Sequence, residues 1–86
     1  MRYMIITYIR RANGQIDEQV GFAKRLKQDD LQTANVIMDY TEQKVVKCVI
    51  ENKVVPTDFD RLNEYYAKIY PELIAQLNEM AKQNGK

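Results

Sequence analysis

The dipeptide Asn13-Gly14 constrains the fold of this chain most strongly, because it lies between two segments with strand character. Residues 3–10, YMIITYIR, are rich in isoleucine, tyrosine and threonine, and residues 15–26 follow the glycine. Asn-Gly is favoured in a two-residue type I′ turn, since both central residues need a positive φ. The sequence therefore predicts a β-hairpin with Asn13-Gly14 at its turn.

A two-residue loop also fixes the register of this hairpin. It places Ile5 opposite Phe22 on an apolar face and Arg10 opposite Asp17 on the other face. Opposite charges across a strand pair stabilise a sheet by about 0.2–1 kcal/mol. A helix over residues 17–28 is the alternative for the second segment, but one register that aligns apolar residues and pairs charges favours the strand.

Three further strands are predicted after a polar connection. Residues 27–35, KQDDLQTAN, form the connection, with room for one helical turn. Strands are expected at 35–40 and 44–51, where β-branched residues dominate, and a short fifth strand at 54–55. Pro56 ends the fifth strand, because proline cannot donate a hydrogen bond to a ladder.

Beyond residue 57 the apolar residues recur every three or four positions, which is typical of an amphipathic helix. The stripe consists of Phe59, Leu62, Tyr66, Ile69, Leu73, Leu77 and Met80. Thr57 is the expected N-cap, with Asp60 in a capping-box position, and Gly85 is the expected C-terminal stop. Pro71 lies inside the stripe, where it removes a helical hydrogen bond and clashes with the preceding turn. We therefore predict a kink or a break near Pro71.

These elements predict one α+β domain, an antiparallel β-meander of four to five strands with a C-terminal helix. Both faces of the sheet carry apolar residues; in the fourth strand, Val45 and Val49 are expected to face away from Val46, Cys48 and Ile50. One helical stripe covers only one face. A second copy of the chain, a host or viral protein, or a bent helix could cover the other face, and the sequence leaves these three alternatives open.

The residues of the chain exclude several kinds of catalytic chemistry. Histidine and serine are absent and Cys48 is the single cysteine, which excludes Ser-His and Cys-His nucleophiles and leaves too few ligands for a zinc site. We therefore expect no enzymatic activity, no cofactor and no metal, and we interpret Cys48 as a small buried hydrophobe. No apolar run approaches the roughly 20 residues that span a bilayer. With a single cysteine, the chain is interpreted as a protein of the reducing cytoplasm.

Two sets of residues are candidates for binding. Tyr8, Tyr65 and Tyr70 are the candidate protein interface, since tyrosine is enriched at binding hot spots, although packing with an exposed hydroxyl is the plainer interpretation. The candidate contacts to nucleic acid are Arg10, Arg11, Lys24, Arg25 and Lys27. The 13 basic and 12 acidic residues give a net charge of only +1, so nucleic acid is the less favoured partner.

Four stretches resemble a family of small proteins encoded by T4-like bacteriophages. They are NGQIDE at 13–18, LQTANVIMDY at 31–40, QKVVKCVIENKVVPTDFDRL at 43–62 and YYAKIYPELI at 65–74. The family has no assigned activity, so the resemblance implies no catalytic residue. It implies a small accessory protein in the host-cell cytoplasm that binds a host protein or nucleic acid.

The function predicted from the sequence is a protein–protein interaction module that self-associates, most simply as a twofold homodimer. The alternative is a weak nucleic-acid-binding protein that uses the basic residues of the N-terminal hairpin. The two differ in salt response, because binding through phosphates weakens steeply as salt is raised.

Overall fold

Residues 1–50, 53–54 and 58–84, which the computed structural model describes, form a five-stranded sheet and three helices. The strands are β1 (Tyr3–Arg10), β2 (Ile16–Ala23), β3 (Val36–Asp39), β4 (Lys44–Ile50) and β5 (Lys53–Val54). The helices are α1 (Gln28–Thr33), α2 (Phe59–Ile69) and α3 (Pro71–Asn84). The predicted α+β class is confirmed, and the second segment of the hairpin is a strand and not a helix.

The strands lie in the order β2-β1-β3-β4-β5, and every neighbouring pair is antiparallel. A meander would place β3 beside β2, so the predicted strand order is wrong at this point: β3 pairs with the other edge of β1. The connection that contains α1 carries the chain across β1. Burial explains this order, because all four residues of β3 are buried, whereas β2 is partly exposed and carries charges that suit an edge strand.

The β1–β2 hairpin has a three-residue loop instead of the predicted two-residue turn. The carbonyl of Arg11 accepts a hydrogen bond from the N–H of Gly14 at 3.0 Å, and the N–H of Arg11 donates to the carbonyl of Gln15 at 2.7 Å. Gly14 has a φ of 88°, a left-handed conformation that glycine adopts without steric cost. A type I turn followed by a left-handed residue is the common three-residue hairpin loop. Asn13 supports it, since its Oδ1 accepts from the N–H of Gln15 at 3.0 Å.

The additional loop residue shifts the register of the hairpin by one position. Ile9 pairs with Asp17, and Arg10 pairs with Ile16. The predicted cross-strand pair of Arg10 and Asp17 is therefore wrong. Arg11, the neighbour of Arg10, donates from Nε to Oδ2 of Asp17 instead.

One face of the sheet packs against α2 and α3 and holds the core. Met4 pairs with Phe22 and Ile6 with Val20, and both β1 residues are fully buried. The remaining core residues come from β3, β4, the turn after β3 and the two helices: Val36, Met38, Tyr40, Val45, Cys48, Phe59, Leu62, Tyr66, Ile74, Leu77 and Ala81. The core is thus one layer between the sheet and the helix pair.

A β-bulge at Val46 changes the predicted faces of β4. Ile37 pairs with Lys47 but Met38 pairs with Val45, so Val46 has no partner on β3. Val45 and the buried thiol of β4 consequently both belong to the core, although the sequence predicts that they face opposite ways. One inserted residue shifts the side-chain alternation beyond it.

Helices α2 and α3 meet at Tyr70 and Pro71, and the predicted helix break is confirmed. Pro71 is the first residue of α3, a position at which the missing N–H costs little. The break changes the phase of the apolar stripe, so that Ile69 is exposed and Ile74 is buried together with Leu77. The predicted stripe is therefore wrong at Ile69, whereas Leu73 packs against the core and Leu77 is buried as the sequence predicts.

The N-terminus of α2 is capped by Asp58. Its Oδ1 accepts hydrogen bonds from the N–H groups of Asp60 at 3.1 Å and Arg61 at 3.4 Å. Asp58, and not Thr57, is therefore the N-cap. Three of the positions that the sequence predicts as element ends lie outside the described residues: Pro56, Thr57 and Gly85.

The second face of the sheet is covered in part by α1. Lys47 lies opposite Ile37 on this face, and its Nζ donates to the carbonyl of Leu31 in α1 at 2.8 Å. Ile37 is fully buried although it points away from the main core. The crossover connection between β2 and β3 thus covers part of a face for which the sequence suggested a second copy, another protein or a bent helix.

Candidate interaction surface

A cleft of about 340 Å³ opens at the end of the sheet where β3 has not yet begun. The last pair between β1 and β3 is Ile6 with Val36, but β1 continues to Arg10, and β4 continues to Ile50. These two strands therefore extend with an open space between them. The cleft is lined by Tyr8, Arg10, Ile16, Asn35, Val49, Ile50 and Tyr65.

Asn35 closes one end of the cleft by bridging β1 and β4. Its N–H donates to the carbonyl of Ile6 at 2.9 Å, and its carbonyl accepts from the N–H of Val49 at 2.7 Å. Its side-chain Oδ1 accepts from the N–H of Tyr8 at 2.8 Å. Asn35 thereby fixes the two walls of the cleft relative to each other. Sequence reasoning missed this role, for which the only signal is a polar residue directly before a buried strand.

The three tyrosines that the sequence selects as a candidate interface belong to one cluster. The hydroxyl of Tyr8 lies 3.0 Å from that of Tyr66, whose ring meets the ring of Tyr65 edge-on at 5.0 Å. The hydroxyl of Tyr70 donates to Oε1 of Glu18, and Glu18 pairs with Tyr8 across the hairpin. Tyr66, which the sequence assigns to the core stripe, and Glu18, which sequence reasoning did not select as a site residue, connect the three candidates.

Burial keeps the hydroxyl groups of this cluster protonated. Burial raises the pKa of Tyr8 to about 12, although the hydrogen bond with Tyr66 acts in the opposite direction. The pKa of Tyr70 is raised to about 12 as well, first by burial and then by the hydrogen bond to Glu18. The pKa of Tyr66 is raised mainly by burial. At neutral pH these groups therefore act as neutral hydrogen-bonding groups.

Arg10 contributes a positive charge to the cleft. It is exposed and lies opposite Ile16, and within the described part of the chain it forms no ion pair. Arg11 is engaged by Asp17. Of the two arginines at the end of the hairpin, Arg10 is the one whose guanidinium is open to a ligand.

Three large apolar side chains form an exposed group beside the cleft, which we call the apolar patch: Ile16, Tyr65 and Ile69. Their exposed fractions are 43%, 48% and 43%. Ile16 and Tyr65 line the same cleft, and Ile69 follows Tyr65 by one helical turn on α2. The apolar patch therefore joins the start of β2 to the outer side of α2.

β2 forms one edge of the sheet, and its outer side has no strand partner among the described residues. The hydrogen bond between Arg11 and Gln15 at the loop shows that the odd-numbered residues of β2 bond to β1. The N–H and C=O groups of the even-numbered residues consequently point outward. This eight-residue edge begins at Ile16, a member of the apolar patch.

The remaining basic candidates lie away from the cleft. Lys24 and Arg25 form a bend directly after β2, and Lys27 precedes α1. Since β2 has eight residues, this basic group is about 25 Å from the hairpin loop at the usual rise per strand residue. The structure therefore does not bring the five basic candidates together on one site.

No family model, curated protein or solved structure matches this chain. The resemblance to the phage family therefore stays a prediction. The cleft, the apolar patch and the β2 edge are the observations from which a function can be inferred.

Cys48 and the acidic residues of the described part of the chain are candidates for a second site. Among the residues that the structure describes, no three histidine, cysteine, aspartate or glutamate side chains are grouped in a way that could hold a metal ion. The same part of the chain contains no helix of the length and apolarity that crossing a bilayer requires. Cys48 is buried, and burial raises the pKa of its thiol, so its role is packing, as the sequence indicates.

Proposed function

We propose that this protein is a non-enzymatic protein–protein interaction module that self-associates as a homodimer. The observation that carries the proposal is the open outer edge of β2 with the apolar patch at one end. An unpaired strand edge is a template for another strand, and exposed apolar side chains gain free energy when a partner removes them from water. An 86-residue chain also has a modest core, and domains of this size often gain stability by oligomerising.

Tyr65 is the side chain of the apolar patch that is best suited to anchor a partner. Its ring packs edge-on against the buried ring of Tyr66 at 5.0 Å, so this contact restrains it before binding. A side chain that is ordered in the free protein loses little conformational entropy in a complex, and tyrosine is enriched among the residues that dominate binding energy.

The proposal is tested by measuring the molar mass of the chain in solution, by light scattering across a wide concentration range. We expect a monomer–dimer equilibrium, and we expect the dissociation constant to rise by about tenfold or more in Ile69→Glu, which places a charge in the apolar patch. Leu31→Glu is the matched control, because Leu31 is equally exposed, at 42%, but lies in α1. A strict monomer at the highest concentration would refute the proposal.

A second candidate function, binding of single-stranded nucleic acid, is favoured by one specific observation. Arg10 and Tyr65 line the same cleft, and a cation beside an exposed aromatic ring is an arrangement on which a base can stack. The separation of Lys24, Arg25 and Lys27 from this cleft weighs against a long backbone-tracking site.

A fluorescent oligonucleotide distinguishes this second function from the first. Binding through the cleft should weaken steeply with added salt and be lost in Arg10→Ala. Arg25→Ala, at the other end of β2, should leave it unchanged. Absence of binding at low salt would eliminate the nucleic-acid function and leave self-association unaffected.

A phage-type accessory role in the host-cell cytoplasm, with a host or phage protein as a further partner, completes the proposal. Its support is the four stretches of sequence that resemble the phage family. The test is whether the purified chain retains a defined host protein and whether Tyr65→Ala abolishes this retention while Leu31→Ala does not.

A further inference from the structure

The geometry of the β2 edge limits how a second copy could pair with it. In an antiparallel pair about a twofold axis, two residues that face each other lie on the same side of the joined sheet. One residue of β2 must then lie on the axis, where it faces the same residue of the second copy. The residues near the middle of the strand that can occupy the axis are Gln19, Val20, Gly21 and Phe22. All four choices use the outward N–H and C=O groups of even-numbered residues.

Charge selects one of these four registers. With Gly21 on the axis, the register places Asp17 opposite Arg25 of the second copy and Glu18 opposite Lys24, and both basic residues lie in the bend directly after β2. Opposite charges that face each other across a strand pair stabilise it, and like charges destabilise it. The acidic and the basic residues lie at opposite ends of a ladder formed by residues 19–23. The twofold axis therefore creates two complementary charge clusters, one at each end.

The other three registers lack this complementarity. With Gln19 or Val20 on the axis, both carboxylates of β2 lie opposite uncharged residues. With Phe22 on the axis, Asp17 lies opposite Lys27, but the second carboxylate still faces an apolar side chain. Only the axis at Gly21 gives both carboxylates a basic partner.

The charged residues retain the capacity for these contacts. Lys24 and Arg25 are exposed, and neither forms an ion pair within the described residues. Arg11 contacts Oδ2 of Asp17 and Tyr70 contacts Oε1 of the neighbouring Glu18, so each carboxylate has a second oxygen to offer. Surface pairs of this kind set specificity more than affinity, and the backbone hydrogen bonds of the ladder supply affinity.

Gly21 lies on the axis of this register, and the isolated chain does not require glycine there. A Cβ at Gly21 would meet only the carbonyl oxygen of Ile5, at 4.0 Å, and its φ is not positive. Neither space nor backbone conformation therefore requires glycine at this position. With Gly21 on the axis, it faces Gly21 of the second copy in a non-hydrogen-bonded pair, in which the Cα atoms lie about 4.5 Å apart and side chains are accommodated. The position on the axis therefore tolerates a substitution.

We infer that the β2 edge binds β2 of a second copy of this chain, in antiparallel pairing with Gly21 on the twofold axis. The inference rests on the proposed self-association and specifies its geometry. Val20 then faces Phe22 of the second copy in a hydrogen-bonded pair on the helix side of the sheet, and the two five-stranded sheets form one continuous sheet.

Cysteine cross-linking tests the register directly. A cysteine can form a disulfide with the same cysteine of the second copy only at or next to the axis, because elsewhere the two Cα atoms are too far apart. The cysteine is introduced singly at residues 19–22 in a Cys48→Ala background, and each variant is oxidised. We expect Gly21→Cys to give several-fold more cross-linked dimer than Gln19→Cys, Val20→Cys or Phe22→Cys. A maximum at another position would overturn the register, and a dimer by mass without cross-linking at any position would overturn edge pairing but leave the proposed function intact. A strict monomer would remove both.

Charge reversal gives an independent test, in which mixing two variants should restore the dimer that each variant loses alone. The variant K24E/R25E places like charges opposite each other in the dimer, as does D17K/E18K, and each alone should dimerise about tenfold or more weakly. An equimolar mixture of the two variants restores opposite charges at every facing position, and it should recover the dimer mass. Unfolding followed by circular dichroism confirms that each variant is folded. A K24E/R25E dissociation constant within twofold of the wild-type value would overturn the inference.

Discussion

The hydroxyl oxygens of Tyr8 and Tyr66 lie 3.0 Å apart and join β1 to α2 at the wall of the cleft. Burial raises the pKa of both groups, that of Tyr8 to about 12, whereas an unfolded chain ionises tyrosine near a pH of about 10. A pKa that is higher in the folded state contributes stability that is present below the unfolded pKa and is lost as the pH rises through the folded pKa.

We therefore predict that the free energy of unfolding falls between about pH 10 and pH 12. Absorbance of tyrosinate and far-ultraviolet circular dichroism measure ionisation and unfolding together, and we expect the buried tyrosines to ionise only as the fold is lost. Tyr66→Phe should flatten the dependence on pH, while Tyr65→Phe, at an exposed position, should not. Ionisation of all six tyrosines without unfolding would contradict the prediction.

The two glycines of the hairpin should respond to alanine in opposite directions. Gly14 has a φ of 88°, and an L-residue in a left-handed conformation costs about 1–2 kcal/mol, so Gly14→Ala should destabilise the chain by that amount. Gly21 has room for a Cβ, and Gly21→Ala should stabilise the monomer by about 0.5–1 kcal/mol, since glycine weakens a strand. Urea unfolding at a concentration that keeps the chain monomeric measures both. A stabilised Gly14→Ala would be inconsistent with the three-residue loop.

Local patterns were sufficient to predict the elements of this fold but not their arrangement. The strands, the amphipathic helix and the break at Pro71 follow from residue types and spacing within one segment. The hairpin register does not, because Asn13-Gly14 suits both loop lengths, and the choice depends on whether one or two residues adopt a positive φ. The pairing of β3 with β1 also escaped prediction, since it depends on the relative burial of strands that are distant in sequence.

The sequence was sufficient to select the residues of the candidate surface, but not to predict that they lie together. Tyr8, Tyr65 and Arg10 are identifiable from residue type alone, and the structure places all three on the same cleft. Their meeting depends on the late start of β3 and on the hydrogen bonds of Asn35, which no local pattern encodes. The basic residues after β2 carry the same charge as Arg10, but the eight residues of β2 separate them from Arg10 in space.

The buried, hydrogen-bonded carboxylate of Asp39 leads us to predict that the protein loses stability in acid. Its side chain is 1% exposed and accepts from Nε and Nη2 of Arg2 at 3.0 and 2.9 Å. Burial raises the pKa of Asp39, but the hydrogen bonds from Arg2 and from the N–H groups of Glu42 and Thr41 outweigh burial and lower the pKa. A lowered folded pKa gives stability that is present above the unfolded pKa, near about 3.9, and is lost as the pH falls through the folded pKa.

The expected result is a wild-type free energy of unfolding that falls steadily below about pH 5. Asp39→Asn should be less stable at neutral pH by about 1–3 kcal/mol, because the guanidinium loses its charged partner, and its stability should depend less on acid. Glu42→Gln is the control, since this carboxylate also contacts Arg2, at 3.2 Å, but is exposed. Equal acid dependence in the wild type and Asp39→Asn would exclude Asp39 as the cause.

The N-cap of α2 predicts how much the free energy of unfolding falls when the cap is removed. Oδ1 of Asp58 accepts from the N–H groups of Asp60 and Arg61, and loss of such a cap costs about 0.5–2 kcal/mol. Asp58→Ala should lower the free energy of unfolding by this amount, measured by urea denaturation. Asp58→Asn keeps an acceptor oxygen and should lose only a fraction of it, which separates the cap from the charge.

Asp60→Ala is the matched control for this cap, because Asp60 is an exposed acidic residue in the first turn that accepts no capping hydrogen bond within the described residues. It should lose only the interaction of its charge with the helix dipole, about 0.3–1 kcal/mol at low ionic strength, and salt should remove this difference. The effect of Asp58→Ala should persist in salt, since a hydrogen bond to the backbone is screened less than a charge–dipole interaction. Equal effects of the two alanine variants at high salt would show that Asp58 acts through its charge and not as a cap.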